Sequence, residues 1–64
     1  MKIKIAEKRK EKKLTQPQVA EQLNISYTQL QGYEHGRRIP SVEVALRLAH
    51  ALECKVEDLF ELED

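Results

Sequence analysis

Apolar residues recur along this chain with the three- to four-residue spacing of amphipathic helices. The spacing predicts five helices, at about Lys2 to Lys12, Gln16 to Leu23, Tyr27 to His35, Val42 to Leu52 and Glu57 to Leu62. No stretch of useful length alternates between apolar and polar residues, so we expect no sheet. The 64 residues are therefore predicted to form one all-α domain, spanning residues 1–64.

The second and third predicted helices are separated by a very short turn. Thr15 and Ser26 each precede a helix as candidate N-caps, and Asn24 suits the left-handed position that ends the first of the two. Two short helices joined by so tight a turn are typical of a helix-turn-helix. This motif places its second helix in the major groove of DNA.

Further apolar residues are predicted to close the core around this motif. Gly36 ends the third helix and Ser41 caps the fourth. The fourth helix has a predicted buried stripe of Val42, Ala45, Leu48, Ala49 and Leu52, and the short last helix contributes Val56, Leu59 and Phe60.

Together these patterns resemble the Cro/C1-type (XRE-type) helix-turn-helix family of phage and bacterial repressors over nearly the whole chain. The matching residues are Leu14-Thr15-Gln16, Val19-Ala20, Leu23, Ile25-Ser26, Leu30, Tyr33-Glu34, Gly36, Pro40-Ser41, Leu48-Ala49, Ala51-Leu52 and Val56 through Phe60. The resemblance implies a compact five-helix, lambda-repressor-like domain. Its third helix would read operator DNA, and the protein would usually bind as a dimer.

Candidate DNA contacts fall into two groups. The residues just after the cap of a recognition helix reach furthest into the groove, so Tyr27, Thr28 and Gln31 are the candidate base contacts. Ordinary exposed polar residues are the alternative interpretation of these three. The resemblance implies contacts to the DNA backbone around the motif and the loop after it; the candidates are Thr15, Gln16, Ser26, His35, Arg37 and Arg38.

The resemblance also implies structural roles and shows departures. Arg9 and Glu34 match a family ion pair that bridges the first and third helices. Lys13, Asn24 and Glu53 stand where glycine commonly follows a helix. Gly32 replaces a side chain that usually touches DNA, so it either permits a close backbone approach or marks a reader with fewer base contacts.

The charge pattern suits a polyanionic partner even though the net charge is zero. Residues 1–38 carry nine Lys or Arg and four Asp or Glu, a net charge of +5, whereas residues 39–64 carry two and seven, a net charge of −5. Such a dipole orients the domain on double-stranded DNA. The alternative is that Lys8 to Lys13 form only a solvated helix face.

Other classes of function find little support in the sequence. We expect no catalytic site, metal site, cofactor, small-molecule ligand or membrane segment. The single cysteine, Cys54, is expected to be a small apolar residue in a cytoplasmic protein. A further interpretation is that the chain is part of a longer regulator with a ligand-sensing domain.

The predicted function is therefore sequence-specific regulation of transcription, as a repressor and not as an enzyme. A weak homodimer is expected to form through Leu59, Phe60 and Leu62 of the last helix, where acidic neighbours oppose tight association. An alternative function for the same fold is a protein-interaction module, such as an antitoxin or an anti-repressor partner.

Overall fold

The computed structural model describes residues 1–63 and contains five helices linked by short turns. Their bounds are α1 Ile5–Glu11, α2 Gln16–Leu23, α3 Tyr27–Glu34, α4 Val42–Ala51 and α5 Val56–Leu59. Two short strands flank the set, β1 Lys2–Ile3 and β2 Phe60–Glu61. Asp64, the last residue of the predicted acidic tail, lies outside the described residues. The five-helix architecture predicted from the sequence is confirmed, with α2 and α3 forming the helix-turn-helix.

The expectation of no sheet was wrong. β1 and β2 form an antiparallel pair in which Lys2 lies opposite Glu61 and Ile3 opposite Phe60. The first helix accordingly begins at Ile5 instead of Lys2, and the last ends at Leu59 instead of Leu62. Two-residue strands are too short to show alternation, and their partners are at opposite ends of the chain, so no local pattern could indicate them.

Charged side chains reinforce the strand pair. Lys4 donates a hydrogen bond of 2.6 Å from Nζ to Glu61 Oε2. This contact raises the pKa of Lys4 and lowers the pKa of Glu61, chiefly through the hydrogen bond and then through charge attraction. Because the pKa of Glu61 is lower in the folded chain, its contribution is present at neutral pH and is lost as the pH falls through that lowered value.

The core lies between α2, α3 and α4, with α1 and α5 closing its sides. Its buried residues are Ile5, Val19, Ala20, Leu23, Leu30, Tyr33, Ala45, Leu48, Ala49, Leu52 and Leu59. Val42 was predicted to belong to the buried stripe of α4, but its side chain is 77% exposed. Val42 is the first residue of α4, and this end of the helix extends beyond the core. The spacing of apolar residues within α4 does not show where the core ends.

Four helices, α1 to α4, end in the same left-handed turn. Lys13, Asn24, Gly36 and Glu53 have φ angles of 57°, 56°, 75° and 54°. In each case the next residue donates its N–H to a carbonyl five residues back, as Ile25 does to Ala20 at 3.0 Å. This bond is the mark of a Schellman motif. Lys13 and Glu53 therefore occupy positions that favour glycine, at a cost of about 1 kcal/mol each.

Candidate nucleic-acid interface

Matching capping boxes set the start of each helix in the helix-turn-helix. Thr15 Oγ1 accepts from the backbone N–H of Gln18 at 3.2 Å, and Gln18 Oε1 accepts from the backbone N–H of Thr15 at 2.8 Å. Ser26 and Gln29 repeat the arrangement at the start of α3, with both bonds at 3.0 Å. These reciprocal bonds satisfy N–H groups that a helix start leaves free. The first turn of α3 is thereby held rigid.

The turn between α2 and α3 brings the helices into close contact. Asn24 takes the left-handed conformation, and Ile25 packs against the core. Ala20 is 4% exposed and lies on the buried face of α2. A small side chain at this position permits the close packing that the short turn requires.

The outer face of α3 carries the candidate base contacts. Leu30 and Tyr33 turn inward and are buried, while Tyr27 is 48% exposed and Thr28 is also exposed. Gln31 is half-buried. Thr28 and Gln31 are three residues apart and therefore share one side of the helix. The structure thus places these polar side chains along the first five residues of α3.

A polar network holds α3 to the rest of the domain. Arg9 Nε donates to Glu34 Oε2 at 2.8 Å, and Arg9 Nη2 donates to Glu34 Oε1 at 3.3 Å. Gln16 Nε2 donates to Glu34 Oε1 at 2.9 Å, and Arg9 Nη1 donates to the carbonyl of Leu14 at 2.9 Å. The Glu34 side chain is only 3% exposed. One carboxylate therefore joins α1, the start of α2 and the end of α3, and the Gln16 amide is already engaged in this support.

The loop after α3 folds back onto the helix. The backbone N–H groups of Arg37 and Arg38 donate to the carbonyl of Gly32 at 2.9 and 3.2 Å. Gly36 makes the reversal possible with a φ of +75°. His35 ends α3 and is exposed, as are Arg37 and Arg38. All three polar loop residues thus lie beside the C-terminal end of α3.

Gly32 does not offer an open backbone surface. It is buried, and a Cβ built on it would lie 2.9 Å from Arg38 Cδ and 3.0 Å from Arg38 Cγ. The aliphatic stem of Arg38 therefore covers the glycine. The sequence alone did not indicate this contact, because the two residues are on different elements.

The two charged halves of the chain partly pair with each other. Lys4 and Lys12 contact Glu61 and Glu53 at 2.6 and 3.0 Å. Lys8 lies 3.7 Å from Glu11. These pairs favour a solvated, locally compensated face for part of the basic segment. Within residues 1–63, by contrast, no carboxylate lies within 4.0 Å of Arg37 or Arg38, so both keep an uncompensated positive charge beside α3.

A protein-family model described as helix-turn-helix matches residues 5–59. The chain belongs to the Cro/C1-type helix-turn-helix family. This family consists of transcriptional regulators and is not enzymatic.

Two similar proteins accompany this family match. The chain is 39% identical over 61 residues to the cryptic phage CTXphi transcriptional repressor RstR of Vibrio cholerae serotype O1, covering 92% of this chain and 54% of the repressor. This chain thus spans about half the length of that curated relative. A crystal structure of a transcriptional regulator from Listeria innocua superposes with a TM-score of 0.74 at 25% identity, covering all of this chain and 64% of the other.

The assignment of Leu59 to a dimer interface was wrong. Leu59 is 0% exposed and belongs to the core of this helix-turn-helix domain. Phe60 is half-buried and packs against the same core, because β2 begins there and pairs Phe60 with Ile3. Leu62 is 86% exposed and is the one of the three predicted interface residues that projects fully from the surface.

The sequence analysis missed an apolar surface next to Phe60. A shallow depression of about 130 Å³ is lined by Met1, Ile39, Pro40, Val42, Ala45 and Phe60. Ile39 and Val42 are 69% and 77% exposed. Ile39 lies between the charged loop and Pro40, where no amphipathic pattern assigns it to a core. Its position in the sequence could therefore have indicated an exposed apolar residue.

The described residues also bear on the other expectations. No three His, Cys, Asp or Glu side chains within residues 1–63 are grouped so that they could hold a metal ion. No helix in that range has the length and apolar character needed to cross a membrane. Cys54 is half-buried against the core, and burial, followed by the nearby charge of Asp58, raises the pKa of its thiol.

We predict that the Arg9–Glu34 pair is energetically coupled. Arg9→Ala and Glu34→Ala should each destabilise the domain by about 3–5 kcal/mol, because each leaves a largely buried polar partner unsatisfied. The double variant should lose less than the sum of the two losses, as measured by urea unfolding. Lys8→Ala is the control, since the exposed Lys8–Glu11 pair should contribute less than about 1 kcal/mol. Additive losses from Arg9 and Glu34 would contradict the coupling.

Proposed function

We propose that this chain is a sequence-specific DNA-binding regulator of transcription that acts as a repressor. The observation that carries the proposal is the polar N-terminal face of α3, held in place by the Ser26 cap and the Glu34 network. Membership in the helix-turn-helix family supports it, as do the repressor and the regulator to which the chain is similar. Such a regulator acts in the cytoplasm, in keeping with one unpaired cysteine.

The proposed binding mode inserts α3 into the major groove. Gln31 has an amide that can pair with the N6 and N7 positions of adenine, and Thr28 has a methyl group that can contact the methyl of thymine. Tyr27 stands at the first position after the cap, where its exposed ring can reach a base edge. These three side chains would specify the operator sequence.

A second set of groups would fix the domain on the DNA backbone. Thr15 and Ser26 stand at the N-termini of α2 and α3, where the first-turn N–H groups that the capping boxes do not use and the helix dipole favour a phosphate. Gln16 has a second amide N–H besides the one that it donates to Glu34. His35, Arg37 and Arg38 supply donors at the other end of α3. Contacts of this kind position the protein without reading sequence.

We further propose that two copies bind one operator as a weak homodimer. One domain presents only three candidate base contacts, and a two-fold arrangement would double them over half-sites about 34–36 Å apart. Leu62, which is 86% exposed, supplies the apolar interface group. Glu61 and Glu63 flank Leu62, and although Lys4 and the N-terminal amine pair with them, their exposed carboxylates disfavour a second acidic tail, so association is weak without DNA.

A protein-interaction module of the same fold is the competing function. Retention on random duplex DNA at low salt separates the two, because a DNA-binding domain makes phosphate contacts with any duplex. A chain that ignores duplex DNA while binding a protein partner would favour the interaction module. Selection of bound sequences from a random duplex library then identifies the operator.

We predict that Thr28 and Gln31 determine operator specificity. Thr28→Ala and Gln31→Ala should each cost about 1–3 kcal/mol of operator binding for each lost base contact, with little change on nonspecific DNA. Gln22→Ala, an exposed substitution on α2, is the matched control and should leave both affinities unchanged. Operator binding as tight as wild type in both α3 variants would refute the assignment of base contacts.

We predict that Arg37 and Arg38 bind phosphates. Alanine at either position should weaken binding to all duplex sequences alike and reduce the slope of log K against log salt by about 1. Lys55→Ala removes an exposed cation at the start of α5 and should not alter the slope. A changed sequence preference at an unchanged slope would assign the arginines to base recognition.

We predict a two-to-one complex on a palindromic operator. Sedimentation should show a monomer without DNA and two chains on a duplex with two half-sites, because the acidic tails oppose association in free solution. Leu62→Ser should reduce the cooperativity of binding to the second half-site while leaving affinity for a single half-site intact. A one-to-one complex on the two-half-site duplex rules out the dimer.

A further inference from the structure

We propose that Gly32 is a positioning residue for DNA binding. Because Gly32 has no side chain, the stem of Arg38 packs directly on it. This contact, the Arg38 seat, holds the Arg38 guanidinium beside the outer face of α3 that carries Thr28 and Gln31. The inference rests on the proposed DNA-binding function. It assigns a role to a glycine that lies in the recognition helix and has no group of its own to contact a base or a phosphate.

The backbone of Gly32 does not itself require glycine. Among residues 1–63, Gly36 is the glycine that has a positive φ, whereas Gly32 lies inside α3 with ordinary helical geometry. Glycine is among the least favourable residues inside a helix, where alanine would be better. A reason other than conformation must therefore account for glycine at this position.

The space around Gly32 supplies that reason. A Cβ at this position would lie 2.9 Å from Arg38 Cδ and 3.0 Å from Arg38 Cγ, closer than carbon atoms pack without strain. Arg38 Cβ would lie at an acceptable 3.5 Å. An added methyl group would therefore displace the outer part of the Arg38 side chain and leave its attachment to the loop in place.

Backbone hydrogen bonds hold the two residues together. The carbonyl of Gly32 accepts from the N–H of Arg38 at 3.2 Å and from the N–H of Arg37 at 2.9 Å. With its main chain tied to Gly32 and its stem resting on the same residue, Arg38 loses much of the freedom of a surface arginine. A side chain that is already ordered in the free protein loses little conformational entropy when it binds DNA, and this favours affinity.

The seat also determines where the charge lies. Gly32 follows Thr28 by four residues, so it continues the side of α3 that carries Thr28 toward the C-terminal end of the helix. The guanidinium begins one bond beyond Cδ, and within residues 1–63 it has no carboxylate partner. A planar donor placed there is suited to a phosphate at the edge of the groove that α3 enters.

The test is a double-variant cycle on the full chain, with binding to duplex DNA measured over a range of salt. Gly32→Ala should weaken binding about two- to tenfold, the range expected when an ordered side chain loses its orientation. It should also leave the unfolding midpoint unchanged or raise it, because alanine favours the helix. A merely structural glycine would instead lower stability and binding together.

Gly32→Ala is then tested in a chain that also carries Arg38→Ala. In that background Gly32→Ala should have no further effect on binding, because the side chain that it displaces is gone. Arg37→Ala is the matched control: Arg37 donates to the same carbonyl, but the three atoms nearest the added methyl group all belong to Arg38. Gly32→Ala should therefore retain its full effect when Arg37 is removed.

Each alternative outcome counts against a definite claim. If Gly32→Ala weakens DNA binding equally with and without the Arg38 side chain, Gly32 does not position Arg38. A large loss of stability that Arg38→Ala does not relieve would also contradict this role. Wild-type chain that fails to bind any duplex at low salt would overturn the proposed function and this inference with it. Wild-type binding combined with an additive cycle would overturn this inference alone.

Discussion

The carboxylate of Glu34 is the group on which the placement of α3 depends. Glu34 is the last residue of α3, yet its side chain is only 3% exposed and accepts bonds from Arg9 and Gln16. A buried charge is unfavourable unless it is paired and fully hydrogen-bonded. Since the required donors come from α1 and the first residue of α2, the charge is satisfied only when these three elements take their native arrangement.

This requirement separates the polar groups that stabilise the fold from those that remain available for binding. Arg9 is 11% exposed and also donates to the carbonyl of Leu14, so its charge is used inside the domain. Arg37 and Arg38 lie in an exposed loop and, within the described range, make no ion pair. The arginine in α1 therefore stabilises the fold, whereas the arginines in the loop after α3 keep donors that can bind a phosphate. The net charge of the chain, which is zero, does not reveal this difference.

The strand pair shows how the ends of the chain complete the core. Lys4 donates its backbone N–H to the carbonyl of Leu59 at 2.8 Å, and Ile3 lies opposite Phe60. These contacts carry Leu59 into the core and leave Leu62 outside it. The apolar residues near the end of the chain therefore divide into an internal and an external group, although in sequence they look like one amphipathic segment.

The sequence by itself determined that there are five helices, the caps of the middle three and the turn between α2 and α3, because these depend on residues within a few positions of each other. Thr15, Ser26 and Asn24 each act on their own helix end, so their roles could be read locally. The resemblance to a known family supplied the Arg9–Glu34 partnership, whereas the outward direction of Thr28 and Gln31 followed from the spacing within α3. Only the tertiary structure decided the strand pair, the burial of Leu59, the exposure of Val42 and the contact between Gly32 and Arg38. Each of these depends on packing between separate elements, and the spacing of apolar residues within one element does not specify what lies against it.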